Sequence, residues 1–178
     1  MANATKVDTA ELSKITAITV ADGNENFFVH DGALYSVEVK EVSGKTTTTV
    51  ALIFCPANKT TLEIVANATK VDTAVLSKMA ELTAITVADG NANYFSHDGA
   101  LYSVEVEEDV TTVTLIYCPT TKTSLEIHAN VNVIKANVLS GCKKLESVTF
   151  LGNADAWAKV ETNADKGNQV LEKVTVAD

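Results

Sequence analysis

Arginine is absent from this sequence of 178 residues; all 14 basic side chains are lysines. Without a guanidinium fork the chain lacks the usual two-point grip on phosphate or carboxylate. A net charge of −9 acts in the same sense, and nucleic acid is not an expected partner. Long apolar runs are missing as well. The run Val50–Cys55 is among the longest, far short of the roughly 18–20 residues that cross a bilayer, so no membrane insertion by this segment is expected. Cysteine is scarce: Cys55, Cys118 and Cys142 form an odd set without Cys-x-x-Cys spacing, beside only 3 histidines. No metal site and no cofactor are expected from so few ligands. Hydrophobic content of 46% with 21% charged residues is nevertheless that of an ordered chain with a core.

What the sequence does contain is itself, twice. Ala2–Lys14 recurs as Ala66–Lys78, 64 residues later; Thr16–Asn24 returns as Thr83–Asn91, and His30–Val39 as His97–Val106. A third segment aligns without a gap, Ala66–Val87 on Ala129–Phe150. Self-similarity at fixed spacing marks a repeat architecture, in which each unit buries its apolar face against a neighbour. Leu145-x-x-Val148-x-Phe150-x-x-Asn153 fits the frame Leu-x-x-Leu-x-Leu-x-x-Asn. Leu171-x-x-Val174-x-Val176, Leu82-x-x-Ile85-x-Val87 and Ile15-x-x-Ile18-x-Val20 read as further strands of that kind. Alternation points Ile85 and Val87 inward and leaves Ala84 and Thr86 facing solvent.

Longer excursions lie between these strands. Each holds His-Asp-Gly-Ala-Leu-Tyr-Ser-Val-Glu-Val, a strand entered through an Asp-Gly turn, and then Leu-Ile-Phe-Cys-Pro or Leu-Ile-Tyr-Cys-Pro. The first excursion is four residues longer after this strand than the second, which marks a surface hairpin loop. Short helical turns are expected at 73–79 and 136–142, with a tighter turn before Ile15. The resulting fold class is mainly β with short helices: a right-handed leucine-rich-repeat solenoid carrying two β-hairpin excursions. It reads as one domain over 1–178, with units near 1–64, 65–127, 128–150 and 151–178. Met1 stands where Val65 stands in the next copy, and the chain stops where the copies continue, so a piece of a longer array is expected. Uncapped terminal repeats would then favour self-association.

These motifs, in this order, resemble the BspA-like leucine-rich-repeat family, proteins of the cell surface or secreted by bacteria and some protozoa. Family members show Asp-Gly-Val-Leu-Tyr, Leu-Ile-x-Tyr-Pro and Ala-Phe-x-x-Cys-x-x-Leu at the corresponding places. The sequence departs from that pattern at Ile64-Val65-Ala66 and Ile127-His128-Ala129, where Ile-Pro is usual, and at Ala74-Val75 and Asn137-Val138. The resemblance implies an extracellular or cell-surface location and binding or adhesion through a solenoid face, with a host protein, matrix component or glycan as partner. The alternative is a structural spacer that holds another domain away from the surface.

Candidate chemistry is weighed against simpler accounts. Ser96-His97-Asp98 spells a triad, but neighbours on a strand alternate faces and cannot form the relay that activates a serine; the first copy has Val29-His30-Asp31. No catalytic residue is expected, and the chain is not read as an enzyme. Asp22-Gly-Asn-Glu-Asn26 and Asp89-Gly-Asn-Ala-Asn93 imitate the opening of a calcium loop, yet the sixth and twelfth positions are wrong for an EF-hand, and backbone capping accounts for them. Cys55 and Cys118, two layers apart, lie beyond disulfide reach, so buried free thiols are expected. Trp157 reads as a core plug. The outward strand residues remain: Thr19, Thr83, Thr86, Glu146, Thr149 and Thr175 form the candidate binding face. Asn3, Asn58 and Asn67 each begin Asn-x-Thr.

Overall fold

Two-residue turns organise the first half of each long unit. The computed structural model describes residues 4–12 and 14–177. Strands β1 (Phe27–His30) and β2 (Ala33–Val42) pair antiparallel around Asp31-Gly32, and β2 runs back along β3 (Lys45–Phe54) through Ser43-Gly44. Asp31 and Gly32 have φ of 46° and 72°, the two positive values of a type I′ turn, whose twist suits an antiparallel hairpin. After β4 (Thr61–Ile64) comes β5 (Lys70–Val71), which adds in parallel to β3 and completes the sheet order β1-β2-β3-β5. The second unit repeats this plan. Helix α1 (Thr73–Leu76), capped by the Asp72 carboxylate on the Ala74 N–H at 2.9 Å, leads into β6 (Ala84–Val87). Then β7 (Tyr94–His97), β8 (Ala100–Glu107) and β9 (Val110–Tyr117) follow, with β10 (Ser124–Ile127) and β11 (Val133–Ile134). The last units supply β12 (Ser147–Phe150), α2 (Ala154–Trp157), a 3-10 turn (Gln169–Lys173) and β13 (Thr175–Val176).

The Leu-x-x-Leu-x-Leu frames become parallel strands. β4 pairs with β6, Leu62 opposite Ile85 and Ile64 opposite Val87; β10 pairs with β12, Leu125 opposite Val148 and Ile127 opposite Phe150; β12 in turn pairs with β13. The Asp98-Gly99 turn bridges the two parallel sheets. Ile85 N–H of β6 donates to the Gly99 carbonyl at 2.9 Å, and Glu126 N–H of β10 donates to the Asp98 carboxylate at 2.8 Å. A hairpin turn thus stands in the place of a rung. The chain is mainly β with two short helices.

The apolar interior falls into three clusters. Phe27, Leu34 and Phe54 gather the first, against Val7, Leu12 and Ile18. Tyr35, Val50, Leu52, Leu62, Leu76 and Ile85 belong to the second, and Tyr102, Leu115, Leu125, Val148 and Phe150 to the third. The hairpin sheets divide them. Leu34 faces one cluster while Tyr35 faces the next, and Leu101 and Tyr102 repeat the split; the pairing register shifts between the residues of both couples, a bulge that lets the sheet serve two interiors. The first interior is drawn from residues of the first unit alone, while the second and third join residues of neighbouring units; Ile85 and Val148 lie in different clusters.

Several expected elements come out differently. Residues 15–20 form no strand: no preceding parallel strand pairs with them among the described residues, and Ile15 is 36% exposed. The expected tighter turn before Ile15 includes Ser13, which lies outside the described residues; on either side, Leu12 N–H reaches the Thr9 carbonyl and Ile15 N–H the Leu12 carbonyl. The helical turn at 73–79 shortens to Thr73–Leu76, and 136–142 is a chain of turns instead of a helix. Asn137 explains the second case. Its φ of 61° is left-handed, and its N–H is drawn to the Lys166 carbonyl at 2.7 Å. Asn153, which fitted the frame's terminal asparagine, is exposed and caps α2 through the Ala156 N–H. The fully buried asparagine is Asn168: its carbonyl accepts from Leu139 N–H, and its amide donates to Lys135 and Thr162 carbonyls. Trp157 packs on Phe150 with ring centroids 5.1 Å apart, partly covered at the edge of the third cluster.

Candidate binding face

The outward positions of the parallel strands follow from their register. Glu63 on β4 lies opposite Thr86 on β6, Glu126 on β10 opposite Thr149 on β12, and Thr149 opposite Thr175 on β13. Thr86 and Thr175 are exposed and Thr149 is half-buried between its two neighbours. Thr149 and Thr175 therefore stand together, whereas Thr86 is separated from them by the Asp98-Gly99 turn and β10. Thr83 and Glu146 occupy equivalent positions just before their strands. Each donates its N–H to the preceding rung, to Thr60 at 2.7 Å and to Thr123 at 2.8 Å, and the Thr83 hydroxyl also donates to the Thr60 carbonyl at 2.9 Å. Thr19 is exposed but belongs to no ladder.

The same face carries histidines that the sequence reading did not place among the binding residues. His30, at the end of β1, is held by Glu63, with Nε2 and Oε2 2.8 Å apart. The equivalent His97 and Glu126 are 4.0 Å apart, and the buried His97 Nε2 has no hydrogen-bond partner. His128 replaces Val65 here; its ring lies 5.3 Å from His97 and 5.1 Å from Phe95, edge-on to both. Burial pushes the His128 pKa down, and the neighbouring His97 adds to this. Stacked pairs brace both copies from below, Phe28 on Tyr35 at 5.2 Å and Phe95 on Tyr102 at 4.9 Å. The recurrence of His-Asp-Gly before each hairpin strand and of Leu-Glu-Ile on each parallel strand was the available signal.

Asp31 and Asp98, next in the chain to His30 and His97, tie the two turns to the parallel strands. Asp31 accepts from Lys59 Nζ at 2.9 Å and from Glu63 N–H at 2.8 Å; Asp98 accepts from Lys122 Nζ at 2.8 Å and from Glu126 N–H. Burial raises the Asp31 pKa, but the Lys59 and Glu63 hydrogen bonds outweigh it and hold the carboxyl below its ordinary value. The Asp-Gly-Asn turns cap backbone, as expected: Asn91 Oδ1 accepts from Asn93 and Tyr94 N–H groups, and Asn24 Oδ1 does the same for Asn26 and Phe27. Among the described residues no three His, Cys, Asp or Glu side chains are arranged to hold a metal ion, and no helix is long and apolar enough to cross a membrane. Asn58 and Asn67 are exposed, while Asn3 lies outside the described residues.

No family model and no curated protein matches this chain. Two solved structures resemble it. One is a leucine-rich repeat protein from Eubacterium ventriosum, 22% identical at a TM-score of 0.42. The other is a leucine rich cell surface protein from Faecalibacterium prausnitzii, 24% identical at a TM-score of 0.43. Each likeness covers 58% of this chain and 25% of the other, so the chain corresponds to about a quarter of their length. The functional reading rests on the chain's own rungs.

Proposed function

We propose that this chain is a non-catalytic binding module of the cell surface, built as a right-handed leucine-rich-repeat solenoid. Its ligand, a host protein, matrix component or glycan, lies across the outward strand face. The observation that carries this reading is two in-register groups of hydroxyl and carboxylate side chains, Glu63 with Thr86 on one parallel sheet and Glu126 with Thr149 and Thr175 on the other, on short strands held by a buried interior. Rigid, solvent-facing polar groups lose little entropy on binding. Screening the fragment on host-protein and glycan arrays tests it: a hit lost when Thr86, Glu146 and Thr149 are changed together to alanine supports the reading. A blank screen, or a hit indifferent to that triple change, favours a spacer instead.

A further inference from the structure

The third unit departs from the second at one buried position with chemical consequences. Cys55 and Cys118 are equivalent, each following a hairpin strand and preceding a proline, but Met79 of the second unit is replaced by Cys142 in the third. Cys55 and Met79 share the second apolar cluster; Cys118 and Cys142 share the third. The pairing of β10 with β12 sets Ser124 opposite Ser147. Carried back along the chain, that register sets Cys142 against Pro119, one rung from Cys118. Rungs are about 4.8 Å apart, inside the roughly 4.4–6.8 Å that a disulfide spans between Cα atoms. The sulfur atoms bear this out. Cys118 Sγ lies 3.8 Å and Cys142 Sγ 3.7 Å from the Pro119 carbonyl oxygen, and Cys142 Sγ is 3.7 Å from the Cys118 carbonyl. The mutual influence of the two thiols pushes the pKa of Cys142 down and that of Cys118 up. A groove of about 390 Å³ runs alongside, lined by Cys118, Ile116, Thr120, Val138, Ser140 and Gly141.

We propose that Cys118 and Cys142 are a disulfide-forming pair, oxidised by small-molecule disulfides. Cys142, 6% exposed against 1% for Cys118, attacks first. Its thiolate forms a bond to one sulfur of the oxidant, breaks the oxidant's S–S bond and releases one small thiol. Cys118 then gives up its proton, attacks Cys142 Sγ in the mixed disulfide and expels the second small thiol. Two protein thiols and one small disulfide become one protein disulfide and two small thiols, two electrons passing to the oxidant. Oxidising surroundings outside the cell would preserve the bond.

The test uses the whole chain, both native and refolded from urea, in buffer with reduced and oxidised glutathione. The expected product is lighter by about 2 Da, with Cys118 and Cys142 joined in one peptide pair and Cys55 alkylated after unfolding. Its Tm rises by roughly 5–10 °C, the effect expected of a tie across a loop of this size. Cys142→Met, the residue of the preceding unit, removes both changes; Cys55→Ala leaves both. Three alkylatable thiols after oxidative refolding, glutathione retained on the protein, or a bond to Cys55 would overturn the proposal.

Discussion

At the scale of single residues, Gly99 carries two constraints at once. Its φ is 71°, and a methyl group there would sit 3.0 Å from the Ala84 side chain, because the turn stands in for a rung against β6. Gly44, at a φ of 77°, has nothing within 4 Å. Gly99→Ala is expected to cost about 2–4 kcal/mol by urea denaturation, and Gly44→Ala about 1 kcal/mol. Asn168→Ala strands one buried N–H and two carbonyls, and about 2–4 kcal/mol is expected in the same measurement. His128 provides a pH dependence. Its pKa is lowered in the folded protein, so the unfolded chain binds its proton more readily. The associated stability is therefore present above the ordinary histidine value near 6.5 and is lost as pH falls through the folded value. His128→Val, restoring the residue of the first copy, should flatten the fall in Tm between pH 7 and pH 5.

At the scale of elements, some of the strands were legible and others were not. β6, β12 and β13 follow from apolar alternation at fixed spacing, and both hairpins from Asp-Gly turns between β-rich runs, whereas their partners β4 and β10 were not singled out. Residues 15–20 carry the same alternation as β6 yet form no strand, because a parallel strand needs a partner and alternation does not supply one. The non-helix at 136–142 turns on Asn137, a residue that tolerates a left-handed backbone without announcing it. The outward threonines were readable from alternation alone. The His97–His128 and Cys118–Cys142 contacts were not, because they join residues brought together only by the stacking of neighbouring rungs. The hairpin tips follow a simpler rule: Val39 and Val42 are 63% and 66% exposed at the first one. The four extra residues of the first hairpin lengthen β2 and β3 and not the two-residue turn that joins them; deleting two from each strand to match the second copy should change stability by under about 0.5 kcal/mol in urea denaturation.

For the molecule as a whole, the division of the interior into three clusters decides how substitutions combine. Leu62 and Ile85 face each other within one cluster, and Val148 lies beyond the second hairpin sheet. Leu62→Ala should cost about 2–5 kcal/mol alone. With Ile85→Ala the costs should deviate from additivity by about 0.5–3 kcal/mol, and with Val148→Ala they should add to within about 0.5 kcal/mol. A double-mutant cycle in urea reads both numbers; equal coupling for the two pairs would count against separate interiors.

The hairpin sheets act, in effect, like bulkheads in a hull. Under load, a breach in one hold need not flood the next. Stretched from its ends in an optical trap, the chain should give way in successive steps, hold by hold, and recover in the same way when the tension is relaxed.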